Sequence, residues 1–355
     1  MSSSSEMSSS AETKPSTLKK RKAVVLLSGG LDSNLSTRLV LDQEIEVEAV
    51  AVKTPFCDFD CGKGCGHRVK EVADSLGIRL KTVYFGDEYL AMLKNPKHGF
   101  GSGMNPCIDC RAMMYKAAKE HMETIGASYL VTGEVLSQRP MSQHRHALKT
   151  IEEESSLVGK VVRPLSAGKL PPSDAEALGF IDRSKLRSIS GRSRKEQLAL
   201  AKEFGIQDPP NSAGGCLLTD PCFSKRVYDL FDHTDGIPTL NDVELLKVGR
   251  HFRLSTDAKL IVGRNQRENE TMKFLCLDDD YSLEAIEFTG PLGILRINKD
   301  SDVRNDLMPI AGGIVGRYSD APRGHIVRLT LIHQQKESRI DCQMLDNSVV
   351  RKLSI

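Results

Sequence analysis

No run in this chain approaches the roughly 18 consecutive apolar residues that a membrane-spanning helix needs, so the sequence predicts no membrane span. The sequence predicts no secretory leader either. Residues 1–22 are rich in Ser and Thr, contain no apolar stretch and end in Lys-Lys-Arg-Lys, which reads as a disordered tail. Glu6 and Glu12, with no Arg before Arg21, argue against a mitochondrial presequence. The basic tetrad has the composition of a nuclear signal, but positive charge flanking a strand is the commoner reason for it. A large excess of either charge is absent as well. The net charge is only +2, so a nucleic-acid surface must be a local patch. The chain has no internal repeat, and its first glycine-rich loop is not a Walker GxxxxGK[ST] sequence.

At 355 residues with an ordinary apolar fraction of 39%, the chain is long enough for two domains with sizeable cores. It holds nine cysteines. Without a secretory signal these point to a reducing, cytoplasmic setting, where thiols are free, metal-bound or catalytic more often than paired. Cys57, Cys61 and Cys65 cluster, Cys107 and Cys110 form a CxxC, Cys216 and Cys222 follow, and Cys276 and Cys342 stand alone.

From residue 23 to about 205, strand-like runs alternate with helix-like segments. The strands are AVVLL, EVEAVAVKT, LKTVYF and SYLVTGE. The helices are DSNLSTRLVLDQ, HRVKEVADSLGI ending at Gly77, and CIDCRAMMYKAAKEHMETIG ending at Gly126. This alternation predicts an α/β fold, a doubly wound parallel sheet. Beyond about residue 240 short strand-like runs predominate: HFRLS, KLIVGRN, KFLCL, GILRI and IVRLTLIH. They predict a smaller β-rich domain. The division is therefore 1–22, 23–236 and 240–355, with a boundary near Gly236, Ile237 and Pro238.

The segment VVLLSGGLDS joins the first strand to the first helix. Glycines let a backbone approach an anion, and the free amides of a helix start favour negative charge. Ser28, Gly29, Gly30, Leu31, Asp32 and Ser33 thus form a candidate phosphate loop. Ser28 and Ser33 offer hydroxyl donors, and Asp32 suits phosphate only through Mg²⁺. The plain alternative is a helix capped by Asp or Ser after a Gly turn.

SGGLDS also resembles the SGGxDS signature of the PP-loop ATP pyrophosphatases, the adenine nucleotide alpha hydrolase-like proteins. The resemblance covers about residues 23–230. Within that family, GMNPCIDCRAMM resembles the Asn-Pro-Cys segment of tRNA 2-thiouridine synthases, and AGGCLLTDP the region of their second essential cysteine. TGE, with Gly133 and Glu134, sits where relatives carry another nucleotide-contacting turn, and VRPLS, with Arg163, resembles their Arg-Pro-Leu segment. The resemblance implies ATP as substrate, Mg²⁺ near Asp32, Arg163 neutralising charge at the nucleotide, and tRNA as partner. The implied reaction adenylates a uridine carbonyl oxygen and replaces it with sulfur. An extra RNA domain that position-8 thiouridine synthases carry before their PP-loop is not in this sequence, which argues against position 8. The base, C2 or C4 chemistry, the sulfur donor and the oligomeric state stay open.

The cysteines then acquire candidate roles. Cys107 and Cys110 lie at a helix start, where a thiol's pKa falls. With Cys216 they could hold a [4Fe–4S] cluster whose fourth iron is open, as in some tRNA-thiolating relatives; four-Cys ligation is the saturated form. The alternatives are a catalytic thiol with a persulfide carrier, half a zinc site, or small buried apolar residues. Cys57, Cys61, Cys65 and His67 could close a Cys₃His zinc site, line the active site or carry sulfur. Candidate RNA contacts are Arg183, Lys185, Arg187, Arg192, Arg194 and Lys195, where residues 193–196 read as a capping box. Arg139 and Arg145 follow the predicted nucleotide turn. Arg250, Arg253, Arg264 and Arg267 lie in a stretch with a short resemblance to an RNA-binding module of ribosome-associated quality-control factors. The rival readings are an ammonia-using ligase, sulfur insertion into a small molecule, and a non-catalytic Fe–S or zinc module that binds RNA.

Overall fold

The computed structural model describes residues 21–57, 65–206, 216–297 and 304–355. The amino-terminal tail predicted to be disordered lies outside them, apart from Arg21 and Lys22. In chain order the first part comprises β1 (Lys22–Leu26), α1 (Leu31–Leu41), β2 (Glu46–Lys53), α2 (Cys65–Ser75), β3 (Arg79–Tyr84), α3 (Asp87–Lys94), α4 (Cys107–Ile125), β4 (Tyr129–Thr132), α5 (Arg145–Ser155), β5 (Val161–Val162), α6 (Asp174–Ala177), α7 (Lys195–Glu203), α8 (Pro221–Asp232) and α9 (Leu240–Leu246).

The five strands form a parallel sheet in the order β3-β2-β1-β4-β5. Strand β1 sits in the middle, with Val24 and Val25 wholly buried, because helices cover both faces. Val25 is in register with Ala49 on one side and Val131 on the other. Lys22 opens the strand and pairs with Glu46 at 3.2 Å and Glu48 at 2.9 Å, so the last cation of the basic tetrad flanks a strand. Helix α4 stops at Gly126, whose left-handed φ of 67° turns the chain toward β4. The strand order reverses direction at β1, and the crevice beyond the carboxyl ends of β1 and β4 is where such sheets bind ligands.

The second part comprises β6 (Arg250–Ser255), β7 (Ala258–Val262), α10 (Gln266–Leu275), β8 (Tyr281–Ala285), β9 (Gly293–Ile297), α11 (Arg304–Arg317), β10 (Ile326–His333), β11 (Lys336–Gln343) and α12 (Asn347–Leu353). Its six strands form a sheet in the order β11-β10-β8-β9-β7-β6, all neighbours antiparallel. Helix α11 packs Leu307, Ala311, Ile314 and Val315 against Leu260, Leu283, Leu295 and Val327 from the sheet. One expected strand is corrected: the first three residues of KFLCL end α10, Cys276 is its C-cap, and Leu277 lies beyond it. Asn265 caps that helix by accepting from the Glu268 amide at 3.0 Å, and it buries Met272 while Phe274 points to solvent. The helical period overrides the local apolar run.

Helices α8 and α9 join the two sheets. One apolar cluster contains Phe56, Tyr89, Leu218, Phe223, Val227, Leu230, Val243 and Leu246. Asp229 on α8 meets Arg253 of β6 at 2.7 Å and Lys259 of β7 at 2.9 Å.

Candidate functional site

The phosphate loop leaves β1 through Gly29, whose φ is 72° and where a Cβ would stand 3.0 Å from the Val69 amide nitrogen. Glycine is thus needed both for the turn and for the approach of α2. Gly30 is the N-cap of α1 and provides no side chain, and neither Asp32 nor Ser33 caps the helix. Ser33 Oγ instead donates to the Gly30 carbonyl at 3.0 Å, and the Ser28 amide donates to Ser33 Oγ at 3.3 Å. The first helical bond runs from the Asn34 amide to the Gly30 carbonyl. The amides of Leu31, Asp32 and Ser33 therefore have no acceptor among the described residues, as helix geometry dictates. A simple capped turn would have satisfied one of them; this one presents them to an anion.

The turn after β4 closes against the same helix. A Cβ on Gly133 would lie 2.5 Å from the Ser33 amide nitrogen and 2.6 Å from its Cα. Only glycine lets the β4 turn touch the start of α1. The adjacent Glu134 is 1% exposed and does not face the crevice. It accepts from Tyr115, from Thr132 at 3.2 Å and from Arg163 Nε at 3.1 Å. Arg163 also donates to Glu152 on α5 and to the Tyr115 hydroxyl. Burial alone raises the Glu134 carboxyl, but Arg163 and Arg111 together hold it below its ordinary value. Every guanidinium nitrogen of Arg163 is engaged inside the protein. The direct charge-neutralising contact expected of Arg163 is therefore corrected: an Arg held by two carboxylates and 6% exposed braces the β4 and β5 turns from behind.

Asp32 is the loop's own carboxylate. Its Oδ2 accepts from Gln138 Nε2 at 3.1 Å, and its Oδ1 is buried with no hydrogen-bond partner within geometric limits among the described residues, Gln197 lying nearby. Burial raises the carboxyl's pKa, opposed by Gln138 and by the charges of Arg194 and Arg139. An orphaned carboxylate oxygen beside free amides fits an Mg²⁺ ion shared with phosphate oxygens. The cations that act on Asp32 are Arg194 and Arg139. Arg139 is exposed and lies within electrostatic range of Asp32, Cys107 and Cys216. Its position was legible only as a basic residue following the nucleotide turn.

The thiols gather next to it. Cys107 opens α4 and its Sγ accepts from Asn105 Nδ2 at 3.0 Å. Cys110, one turn on, takes a hydrogen bond from the Tyr89 hydroxyl, and Cys216 takes one from the Leu218 amide. Cys107, Cys110 and Cys216 interact electrostatically with one another, so the CxxC and the distant cysteine are brought together. So is Cys57, which acts on Cys110, Cys216 and Tyr89. The expected lowering of the Cys110 pKa by the helix start is corrected. Desolvation against the Phe56–Phe223 cluster pushes Cys110 up to about 11 and Cys216 up to about 12, outweighing the helix dipole.

Among the described residues no three His, Cys, Asp or Glu side chains surround a single ion position. That speaks against a compact one-ion site, whose sulfurs lie about 2.3 Å from the metal. By chemistry the three converging cysteines are the donor type that an iron–sulfur cluster takes. Each sulfur has a donor to tune it, and protonated desolvated thiols give up their protons when a metal core arrives. Of the proposed Cys₃His set, Cys61 lies outside the described residues. Cys65 and His67 belong to the first turn of α2, and their side chains are not described.

A parallel sheet with an uncapped SGGLDS turn at its switch point is the arrangement expected of a PP-loop nucleotide-binding domain. Residues 19–169 match the family model of the thiamine biosynthesis protein ThiI, and residues 249–352 match that of the NFACT protein RNA binding domain. The tRNA-specific 2-thiouridylase MnmA of Pseudomonas fluorescens strain SBW25 is 27% identical over 252 residues, covering 68% of this chain and 63% of the relative. That of Ruthia magnifica is 26% identical, over 72% and 74% of the two chains. The chain thus spans about 63% of the length of the first of these relatives. Among solved structures, a 4-thiouridine synthetase–RNA complex with bound ATP is 22% identical over 52% of each chain with a TM-score of 0.32. The U34-tRNA thiolase NcsA of Methanococcus maripaludis with its [4Fe-4S] cluster is 18% identical, over 61% of this chain and 67% of that one, with a TM-score of 0.33. Its sequence matches make the chain similar to the PP-loop proteins of tRNA thiolation. No helix among the described residues is long and apolar enough to cross a membrane.

Proposed function

We propose that this protein is an ATP-dependent tRNA sulfurtransferase that adenylates a uridine carbonyl oxygen and replaces it with sulfur. The observation that carries this reading is Arg139: one guanidinium lies within range of Asp32 of the phosphate loop and of Cys107 and Cys216. Activation and sulfur delivery then share one cleft. Residues 23–236 serve the chemistry, and residues 240–355 serve RNA binding. Free thiols in such number suit a cytoplasmic setting.

The amides of Leu31, Asp32 and Ser33, with the Ser28 hydroxyl, bind the phosphates of ATP. Asp32 Oδ1 would hold Mg²⁺, which supplies charge neutralisation at those phosphates. The uridine carbonyl oxygen attacks the α-phosphorus and pyrophosphate leaves, so the oxygen becomes part of a good leaving group, AMP. Arg139 stabilises negative charge developing between nucleotide and base. Cys107, Cys110 and Cys216 would hold a [4Fe–4S] cluster, which when bound supplies an open iron for sulfur. A sulfur nucleophile from this thiol centre adds to the activated carbon and AMP departs. Glu134 and Arg163 hold the turns that set this geometry.

The test is pyrophosphate release and thiouridine formation with ATP and bulk tRNA. Release that depends on tRNA, and its loss in Asp32→Ala with tRNA binding intact, is the expected result. No release with or without tRNA overturns the enzyme reading, as does an active Asp32→Ala. Iron and acid-labile sulfide in anaerobically purified protein decide the cluster.

A further inference from the structure

Cys57 is not among the three thiols assigned above, yet the fold delivers it to them. It follows β2 at the carboxyl edge of the sheet, the same edge that carries the phosphate loop. Phe56 is 1% exposed and packs on Tyr89 and Phe223, each with ring centroids 6.1 Å away. Cys110 and Cys216 pack against that same cluster. The backbone before Cys57 is thereby anchored beside the thiol centre.

The local turn prepares this sulfur. Cys57 donates its amide to the Thr54 carbonyl at 2.9 Å. Its Sγ lies 3.4 Å from the Thr54 amide, which donates to it, and 3.3 Å from Thr54 Oγ1. That hydroxyl oxygen already accepts from the Phe56 amide at 3.3 Å, so its proton is free to point at the sulfur. Two donors aimed at one half-buried sulfur fix its position beside the thiol centre. Its neighbours differ. Cys110 and Cys216 are desolvated thiols that stay protonated near neutral pH unless a metal takes them. Cys107 acts on Arg111 and Arg139, the cations of the nucleotide side.

Resting on the sulfurtransferase reading, we propose that Cys57 is the entry thiol for sulfur: it accepts sulfane sulfur from a persulfide donor and holds it beside the Cys107–Cys110–Cys216 centre. The Cys57 thiolate attacks the outer sulfur of a donor R–S–SH. The donor's S–S bond breaks, a new S–S bond forms at Cys57, and the donor leaves as its thiolate, which takes up a proton. One sulfur atom moves, and no external oxidant or reductant is needed.

The full-length protein, reduced and desalted, is treated with glutathione persulfide, alkylated and digested, and its peptides are weighed. The Cys57 peptide is expected to gain one sulfur atom, whereas the peptide of Cys222, which is exposed, does not. Cys57→Ser is expected to lose tRNA thiolation about tenfold or more with the persulfide as donor, and to keep it with inorganic sulfide. Its pyrophosphate release and iron content stay at wild-type levels. Thr54→Val, which keeps the amide donor, should load sulfur more slowly without losing iron. An unmodified Cys57 peptide overturns the proposal, as does equal thiolation by Cys57→Ser with either donor. Loss of iron in Cys57→Ser also overturns it, by making Cys57 a ligand. Failure of the sulfurtransferase reading shows separately, as absent pyrophosphate release in the wild type, and leaves the peptide masses to judge Cys57.

Discussion

Asp32 is held in a position that stability alone would not choose. Its carboxyl is desolvated, one oxygen lacks a partner, and its pKa is raised above the ordinary 3.8 chiefly by burial. The sign follows. A carboxyl whose folded pKa exceeds its unfolded value binds more protons when folded, so stability falls as pH rises from 3.8 through the raised value. By neutral pH this penalty is fully in place. Asp32→Asn removes the charge and keeps the shape, and it should raise the midpoint of urea unfolding of the ligand-free protein at pH 7 but not at pH 3. Turnover should fall by about a hundredfold or more. A variant no more stable than wild type at pH 7 removes the idea that this carboxylate is poised for a cation. Asp32 was legible because its six-residue loop is local. Arg163 was not: its partners Glu134 and Glu152 are distant in sequence, and nothing in VRPLS says that the guanidinium points inward. Cys57 was likewise readable as a metal-ligand type but not as a neighbour of Cys110 and Cys216, since that depends on how α3, α4 and α8 pack.

At the scale of elements, the crevice depends on two turns fitting together: the one entering α1 and the one leaving β4. Strands β1, β2 and β4 were legible because central strands of a covered sheet are largely aliphatic runs, edge strand β3 through its apolar–polar alternation, and α4 through its length and its terminal Gly126. Strands β8 and β11 were not. Their partly exposed faces carry polar residues, and SLEA or KESRIDCQ in isolation shows too little apolar alternation. Helix α7 starts later than its capping box implied. Arg194 is the N-cap, and Ser193 Oγ reaches only the Lys195 amide at 3.5 Å. The contact between the two turns gives a sharp comparison. Gly133→Ala must push apart the β4 turn and the first turn of α1, because the new methyl would lie 2.5 Å from the Ser33 nitrogen. Gly126→Ala meets nothing within 4 Å but is strained at φ 67°, at about 1 kcal/mol. Titration with ATP should show nucleotide affinity lost in Gly133→Ala and retained in Gly126→Ala, although both unfold at lower urea. Equal ATP affinity in Gly133→Ala and wild type removes the turn from the site.

Across the whole molecule, two sheets of different design are tied together by α8 and α9, and that tie decides which cations are free to meet RNA. Sequence treats all basic residues alike, because a charge pattern does not reveal partners. In the fold, Arg253 is bidentate on Asp229, at 2.9 and 2.7 Å. Arg264 is held by Glu268, and Arg183 by Glu176 and two carbonyls. Arg250 donates to Gly263 and lies over the Tyr318 ring. These residues build the molecule. Lys185, Arg192 and Lys195 are exposed and have no ion-pair partner among the described residues, and Arg192 and Lys195 flank Arg194, which acts on Asp32. Arg192 and Lys195 therefore offer RNA a contact at the rim of the nucleotide cleft, in addition to the exposed Lys336, Arg339, Arg351 and Lys352 of the second part. Each phosphate contact contributes about 0.7–0.9 to the slope of log affinity against log salt. Replacing both Arg192 and Lys195 by Ala should weaken tRNA binding and flatten that slope by about 1.5, with the unfolding midpoint unchanged. Arg253→Ala should do the reverse. It leaves Asp229 without its bidentate partner, lowers stability by about 3 kcal/mol and leaves the salt slope as in wild type. A slope that follows Arg253 and ignores Arg192 and Lys195 would take the cleft rim out of the RNA path and leave it to the second sheet alone.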